Sequence, residues 1–589
     1  MALRMPNAGP GLFKEGYKMH SGIEEAVIRN IHAVAELAEI VLPSLFPSLT
    51  RSLLHRDADP LGYPMRVCPP ARSSSAEQPE LIGPTERATG PNGRNKMVIN
   101  HLDKLFVTSD AATIIRELEV VHPAGKVLVM ASQQQEHEMG DRTNLVLILA
   151  GELLRKAEYL LTMGLHPSEV VLGYELARDK AIEELEKMAV RTLETPLTEE
   201  SLKVALRPTL AAKQYGSEDL LSRLVAEAVM AVMPSNPKTF NVDNVRVVKI
   251  MGGGLSQSRV IRGMVFGREP EGTVHKATNA KVGVFTCGID IAQTETKGTV
   301  LLKNSEDLLN FSRGEEKHME KIFQELADSG LNVIVAGSSV GELAMHYLNR
   351  HNILVIKVAS KFDLRRLCRV VGATPLARLG APTPDEMGRC DVVETVEIGG
   401  DRVTVFRQSE ETTRTATVVV RGATTNQMDD IERAIDDGVN VVKGIIKDAR
   451  LVPGAGATEL ELAKRIAEYG EKTPGLSQHA IKRFADALEV VPRTLAENAG
   501  LDATEVLSKL YAAHQSSEES YAGVDIEAEN GGILNAKEAE IFDLLAATRW
   551  ALRYGTDAAI SVLRVDSIIM SRQAGGPAPP KQSANWDED

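Results

Sequence analysis

The stretch from Leu145 to Leu161 limits what this chain can fold into more than any other. It runs Leu-Val-Leu-Ile-Leu-Ala-Gly-Glu-Leu-Leu-Arg-Lys-Ala-Glu-Tyr-Leu-Leu, with one Gly as its only breaker. Helix formers dominate, and apolar residues cover most of the circumference, so a helix buried inside a helical body is expected. Gly140-Asp141-Arg142-Thr143-Asn144 stands just before it, with Asp141 and Thr143 as candidate caps. Unpaired N–H groups and the positive dipole end make such a helix start a natural place for phosphate. An aspartate there suits the Mg²⁺ that accompanies a nucleotide triphosphate. The plainer reading is a capped turn and nothing more, and the rest of the chain has to decide between them.

At 589 residues the chain is too long for one core. Hydrophobic residues at 43% and charged residues at 25% describe an ordinary globular protein. The net charge of −14 and the absence of a long Lys/Arg run argue against a dedicated nucleic-acid binder. Charges interrupt the apolar stretches before they reach membrane-spanning length, and the first residues lack a signal-peptide pattern. Cys68, Cys287, Cys368 and Cys390 lie far apart, without metal-ligand spacing, as expected of free thiols in a reducing compartment. The cytosol is the expected location.

Helical periodicity runs from Glu24 to Ile40, then gives way over residues 43–88 to a Pro-, Ser- and Arg-rich stretch with neither helical nor strand period. Order returns at the glycine turn Thr89–Lys96. Strand-like Met97–Asn100 and Leu105–Thr108 follow as a hairpin, and Asp110 opens a further helix. Helices are expected at Gly173–Ala189, Thr198–Ala212 and Ser217–Met233, with Lys213 at the corner between the last two. From about Asn241 short β-branched runs alternate with helices at Ser305–Ser329 and Val340–Asn349, which marks an inserted α/β domain. Helix Met428–Lys443 carries Asp437. A second glycine turn, Val452–Glu459, opens another helical region, and a strand is expected over Ile560–Met570 before a disordered tail. The fold class is therefore mixed α and α/β, multidomain, with both chain ends building one domain.

These motifs, in this order, carry a resemblance. Gly-Pro-x-Gly-x-x-Lys at Gly90–Lys96, Val-Thr-Ser-Asp-Ala-Ala-Thr at Val107–Thr113, Gly-Asp-Arg-Thr at Gly140–Thr143 and Val-Pro-Gly-Ala-Gly-Ala-Thr-Glu at Val452–Glu459 look like the group II chaperonins. The resemblance implies an equatorial ATP domain (residues 1–189 and 451–574), an intermediate domain (190–245 and 416–450) and an apical substrate domain (246–415), with residues 575–589 a disordered tail. It implies ATP/ADP and Mg²⁺ as cofactors. The expected partners are seven paralogous subunits in a double eight-membered ring and unfolded clients of the actin and tubulin class, with no nucleic acid and no membrane. By resemblance Thr89, Gly90, Pro91, Arg142, Thr143 and Asn144 hold the phosphates and Asp141 the Mg²⁺. Asp110 makes a water or metal contact, and Asp437 activates the attacking water. Lys213 senses the γ-phosphate, Gly454, Ala455 and Gly456 line the nucleotide, and Asp525 approaches the ribose.

Three departures from the family pattern stand out: Arg142 where glycine is usual, Ser109 and Ala111 around Asp110, and Ala455 inside the glycine turn. An arginine there either adds a charge-assisted phosphate contact or blocks the close approach that glycine permits. The alternative function is thus a structural ring subunit that binds nucleotide and turns it over slowly or not at all. Two further expectations concern surfaces. Clients are expected at the Val340–Asn349 helix through Leu343, His346 and Tyr347, and the N-terminal arm and Ile560–Met570 strand are expected to pair with neighbouring subunits. Residues 43–88 are expected to be foreign to the working fold, an unspliced intron or mistaken gene model, with a lineage-specific loop as the alternative. Tryptic peptides Asp57–Arg66 or Val67–Arg72 from the native protein would establish that the segment is translated.

Overall fold

Helix Thr143–Thr162 lies at the centre of the helical body, with every residue from Leu145 to Leu154 buried. Each fully buried leucine contributes about 2 kcal/mol relative to exposure. The computed structural model describes residues 18–21, 27–41, 93, 95–118, 120–194, 196–290, 304–408, 415–516, 521–528 and 532–570. Thr89, Gly90, Pro91, the 43–88 stretch and the 575–589 tail lie outside them.

The helical core joins the two ends of the chain. Helices Ile28–Val41, Pro123–Met139 and Pro167–Lys187 pack with Ala457–Lys472, Ser477–Leu488 and Leu545–Leu563 around the central helix. The single glycine of the apolar run, Gly151, lets Ile28–Val41 come close, because a Cβ there would collide with that of Ala38. Tyr174 meets Phe484 edge-on at 5.9 Å between ring centroids and donates its hydroxyl to the Leu153 carbonyl at 2.8 Å.

A second apolar cluster links this body to the inserted sheet. It is built from helices Glu199–Ala211, Glu218–Val232 and Thr425–Lys447 together with Phe542 and Leu544. The nine-stranded mixed sheet runs Val245–Met251, Ala416–Gly422, Arg259–Phe266, Asp401–Arg407, Gly388–Ile398, Lys276–Phe285, Val333–Ala336, Leu354–Lys357, with Pro375–Leu376 paired to Lys276–Phe285. Its parallel strands alternate with helices Ser305–Asp328, Glu342–Arg350 and Lys361–Val371, as a sheet covered on its faces requires. Helix Glu342–Arg350 exposes His346, whereas Leu343 and Tyr347 are half-buried, and Tyr347 stacks on Phe323 at 6.0 Å. Only the histidine of that trio presents an open surface.

Among the described residues Lys18–Ser21 and Ser567–Met570 form a two-stranded antiparallel ribbon inside the chain, each pairing with the other along one edge. The second strand is shorter than expected, because helix Leu545–Leu563 continues through Ile560 and ends only at Leu563. A regular i to i−4 ladder carries the apolar Ile560, Val562 and Leu563 into the helical core, which outweighs their β propensity.

Candidate nucleotide site

Two helices begin at the same cavity. Thr143–Thr162 starts from Arg142 (φ +64°) and Ala457–Lys472 starts from Gly456 (φ +79°), and no side chain caps either of them. The N-cap is thus Arg142 and not Asp141 or Thr143. The left-handed backbone at Arg142, and at Ala455 (φ +55°) before Gly456, turns the chain sharply into each helix. The cavity between them holds about 540 Å³, within the range of nucleotide-sized ligand sites. Val491, Leu495, Val524 and Leu534 give its lining an apolar part, on which a flat heteroaromatic base can lie.

The acidic residues are each held by named donors. Asp141 accepts the Arg142 N–H at 2.7 Å on one oxygen and the Thr209 hydroxyl at 2.9 Å on the other. Gln135 fixes the backbone beneath by donating to the Asp141 carbonyl at 2.9 Å. Asp110 caps helix Ala111–Glu117 by accepting from the Thr113 N–H and hydroxyl (3.0 and 2.7 Å), and it takes the Thr143 hydroxyl at 3.0 Å. Burial pushes its carboxyl up, but the Lys213 ammonium 3.6 Å away and these donors outweigh that and lower it to about 2. Lys213 also pairs with Asp437, so one ammonium links the cavity wall to helix Thr425–Lys447. Thr108 donates to Asp430 on that helix at 2.9 Å, a second tie between the same parts.

Asp110, Asp141, Arg142, Thr143, Asn144, Lys213, Ala455, Gly456 and Asp525 all line the cavity. Asp437 stands behind Lys213, outside the lining. Gly454 sits behind the wall, its N–H donated to the Ile541 carbonyl at 2.9 Å and its Cα too close to Ile541 and Asp543 for a side chain. Thr209, Gln135 and Thr113 are not evident from the sequence, because they act through hydroxyl and amide contacts that no periodicity marks. Asp543 lies outside the site residues expected from the sequence, although a lone charge in Ile541-Phe542-Asp543-Leu544-Leu545 is a visible signal. Asp543 is pushed up to about 6 by burial and by Glu459 and Asp141, against the pull of Arg142. Beside the cavity, buried His514 lies within hydrogen-bond distance of Glu461 through Nδ1 (3.0 Å) and of the Ala522 carbonyl through Nε2 (2.9 Å). It thereby anchors strand Ala522–Val524, whose last residue donates its N–H to the Ala455 carbonyl at 3.0 Å.

Among the described residues no group of three or more His, Cys, Asp or Glu side chains gathers to hold a metal alone. Mg²⁺ carried with phosphates needs only one or two protein carboxylates, and Asp141 and Asp110 both face this cavity. Glu459, buried on the same wall, keeps one oxygen without a hydrogen-bond partner. Two uncapped helix starts, a carboxylate pair and an apolar part of the lining fit a magnesium nucleotide.

The TCP-1/cpn60 chaperonin family model matches residues 85–573. The chain belongs to this family. Among chaperonin relatives it is similar to the probable T-complex protein 1 subunit theta of Schizosaccharomyces pombe, 54% identical over 590 residues with all of both chains covered. It is 51% identical over 611 residues to T-complex protein 1 subunit theta of Saccharomyces cerevisiae, and 48% identical over 592 residues to that of Homo sapiens, again with all of each chain covered. A chaperonin is a protein-folding machine, and this chain is a folding subunit of that kind. Among the described residues no helix is long and apolar enough to cross a membrane.

Proposed function

We propose that this chain is a theta-type subunit of the hetero-oligomeric cytosolic chaperonin, and that it binds and hydrolyses ATP to drive closure of a chamber in which actin- and tubulin-class clients fold. The observation that carries this reading is the pair of uncapped helix starts at one cavity, tied through Lys213 to Asp437 on a helix of the linking layer. MgATP supplies the phosphoanhydride bond whose cleavage drives the cycle. The N–H groups of the two helix starts would hold phosphate oxygens, Asp141 would hold Mg²⁺, and the Val491/Leu495 part of the lining would take the base. Asp437 would orient and deprotonate the attacking water, and Asp110 would contact that water or the metal. Lys213, shared between them, would balance their negative charge. Phosphoryl transfer asks for such positioning and charge compensation more than for covalent help.

The domain reading supports the same cycle. A carboxylate on one body, facing a site built on another, makes hydrolysis depend on how the two bodies meet. The assembled double ring carrying Asp437→Ala in this subunit alone is expected to keep nucleotide binding here and to lose this subunit's share of hydrolysis and of actin release. Unchanged hydrolysis and release would favour the second reading, a ring member that binds nucleotide without turning it over. Arg142, Ala111 and Ala455 are the residues that motivate that alternative.

A further inference from the structure

The arginine at the helix start does not point its charge at open space. Its Nη1 donates to Glu459 Oε1 at 2.8 Å, and its Nη2 pairs with Asp543 Oδ2. The guanidinium side chain is 12% exposed and that of Glu459 2%. Three stretches meet at this fork: the start of helix Thr143–Thr162, the third residue of helix Ala457–Lys472, and the short strand Phe542–Leu544. Residue 142 is held in the left-handed region, which is unfavourable for a residue with a side chain. A planar fork engaged on both arms is directional enough to hold it there, as an ammonium would not be.

We infer that Arg142 is a positioning and charge-compensating residue, bridging Glu459 and Asp543 so that the two helix starts stay aimed at one nucleotide, and that it is not itself a phosphate ligand. The inference rests on the nucleotide reading above. Glu459 and Asp543 are two acidic groups on the wall where an anion must come to rest. Without the guanidinium they repel each other and the incoming phosphates. With it, the pair presents one negative charge fewer, and the bridge ties the glycine-turn helix to the central helix at the point where both begin. The chain therefore uses arginine, at a position where glycine would fit the backbone better, to compensate two carboxylates it has placed nearby.

The test is hydrogen exchange read by mass spectrometry on the assembled ring, with peptides of this chain alone followed in the empty state and across a MgADP titration. Arg142→Ala is expected to raise exchange in residues 141–149 and 541–547 of the empty ring, and to raise half-saturating MgADP at this subunit by about tenfold. Arg142→Ala/Glu459→Gln/Asp543→Asn, which leaves no charge unpaired, is expected to return affinity to within about threefold of the native ring. A triple variant as weak as Arg142→Ala would make the guanidinium a phosphate ligand and overturn the inference. Unchanged exchange in the empty Arg142→Ala ring would overturn it as well. Should Arg142→Ala fail to assemble, Glu459→Gln/Asp543→Asn strands the arginine instead. Tighter MgADP binding by the triple variant than by this double variant supports the bridge, and equal binding refutes it. Failure of MgADP to protect the native helix start would sink the nucleotide reading, while exchange in the empty ring would still decide the bridge.

Discussion

Asp110→Ala is expected to destabilise the helical body by about 3–5 kcal/mol and to abolish hydrolysis at this subunit. The aspartate accepts three hydrogen bonds from Thr113 and Thr143 and lies 3.6 Å from the Lys213 ammonium. Alanine leaves a helix start uncapped, at about 1 kcal/mol, and strips a largely buried cation of one of its two partners. Asp110→Asn keeps the shape and removes only the charge, which separates the electrostatic part. Its pH dependence follows from the sign of the shift. The folded carboxyl is lowered to about 2 from 3.8, so the stabilisation is fully present above about pH 4 and is lost as pH falls through that window toward 2. By linkage that part is worth about 2 kcal/mol near neutrality. Urea unfolding of native and Asp110→Asn chains should therefore differ most above pH 5 and converge near pH 2. A gap independent of pH would mean that Asp110 works by shape and not by charge.

How far the chain could be read differs with the kind of signal. Long periodic helices such as Thr143–Thr162 and Thr425–Lys447 were legible because one physical quantity, apolar burial at a 3.6-residue period, writes them into the sequence. Helix Pro123–Met139 is hidden in the sequence, since Gln133-Gln134-Gln135-Glu136-His137-Glu138 masks its apolar face and only Gly140, at its end, announces it. Helix Lys361–Val371 lies outside the helices expected from the sequence, although Leu364, Leu367, Cys368 and Val371 recur there at helical spacing. At the site, glycine turns and their aspartates were visible because backbone geometry restricts which residues can stand there. The partners that aim those aspartates were hidden. Thr209 comes from a helix 68 residues away and Asp543 from a strand 401 residues beyond Arg142, and pairings at such separation leave no local mark. Arg142 shows the limit most clearly. Its departure from glycine was plain in the sequence, but whether its charge faces phosphate or carboxylate depends on Glu459 and Asp543, which only the fold brings together.

Gly140→Ala is expected to uncouple hydrolysis from binding. Gly140 ends helix Pro123–Met139 at φ +75°, and a Cβ there would stand 2.5 Å from the Cβ of Asn440 on helix Thr425–Lys447. The obstacle is the root of a side chain, so no rotamer change relieves it and one of the two helices has to shift. Backbone strain and overpacking together should cost about 2–4 kcal/mol. Asn440 lies less than one turn beyond Asp437, so a shift of its helix also moves that carboxylate away from Lys213. The N–H groups that would hold phosphate belong to helices Thr143–Thr162 and Ala457–Lys472, neither of which carries the colliding side chain. MgADP affinity at this subunit should therefore change by less than about threefold, while turnover falls by about tenfold or more, as a misplacement of about 1 Å commonly causes. Gly164→Ala is the matched control, because Gly164 has φ +91° with open space around it and adds strain without a collision. Gly140→Ala/Asn440→Gly removes the collision and should recover turnover despite the remaining strain. Equal losses in Gly140→Ala and Gly164→Ala, or no recovery in the double variant, would show that contact between these helices does not set where Asp437 stands.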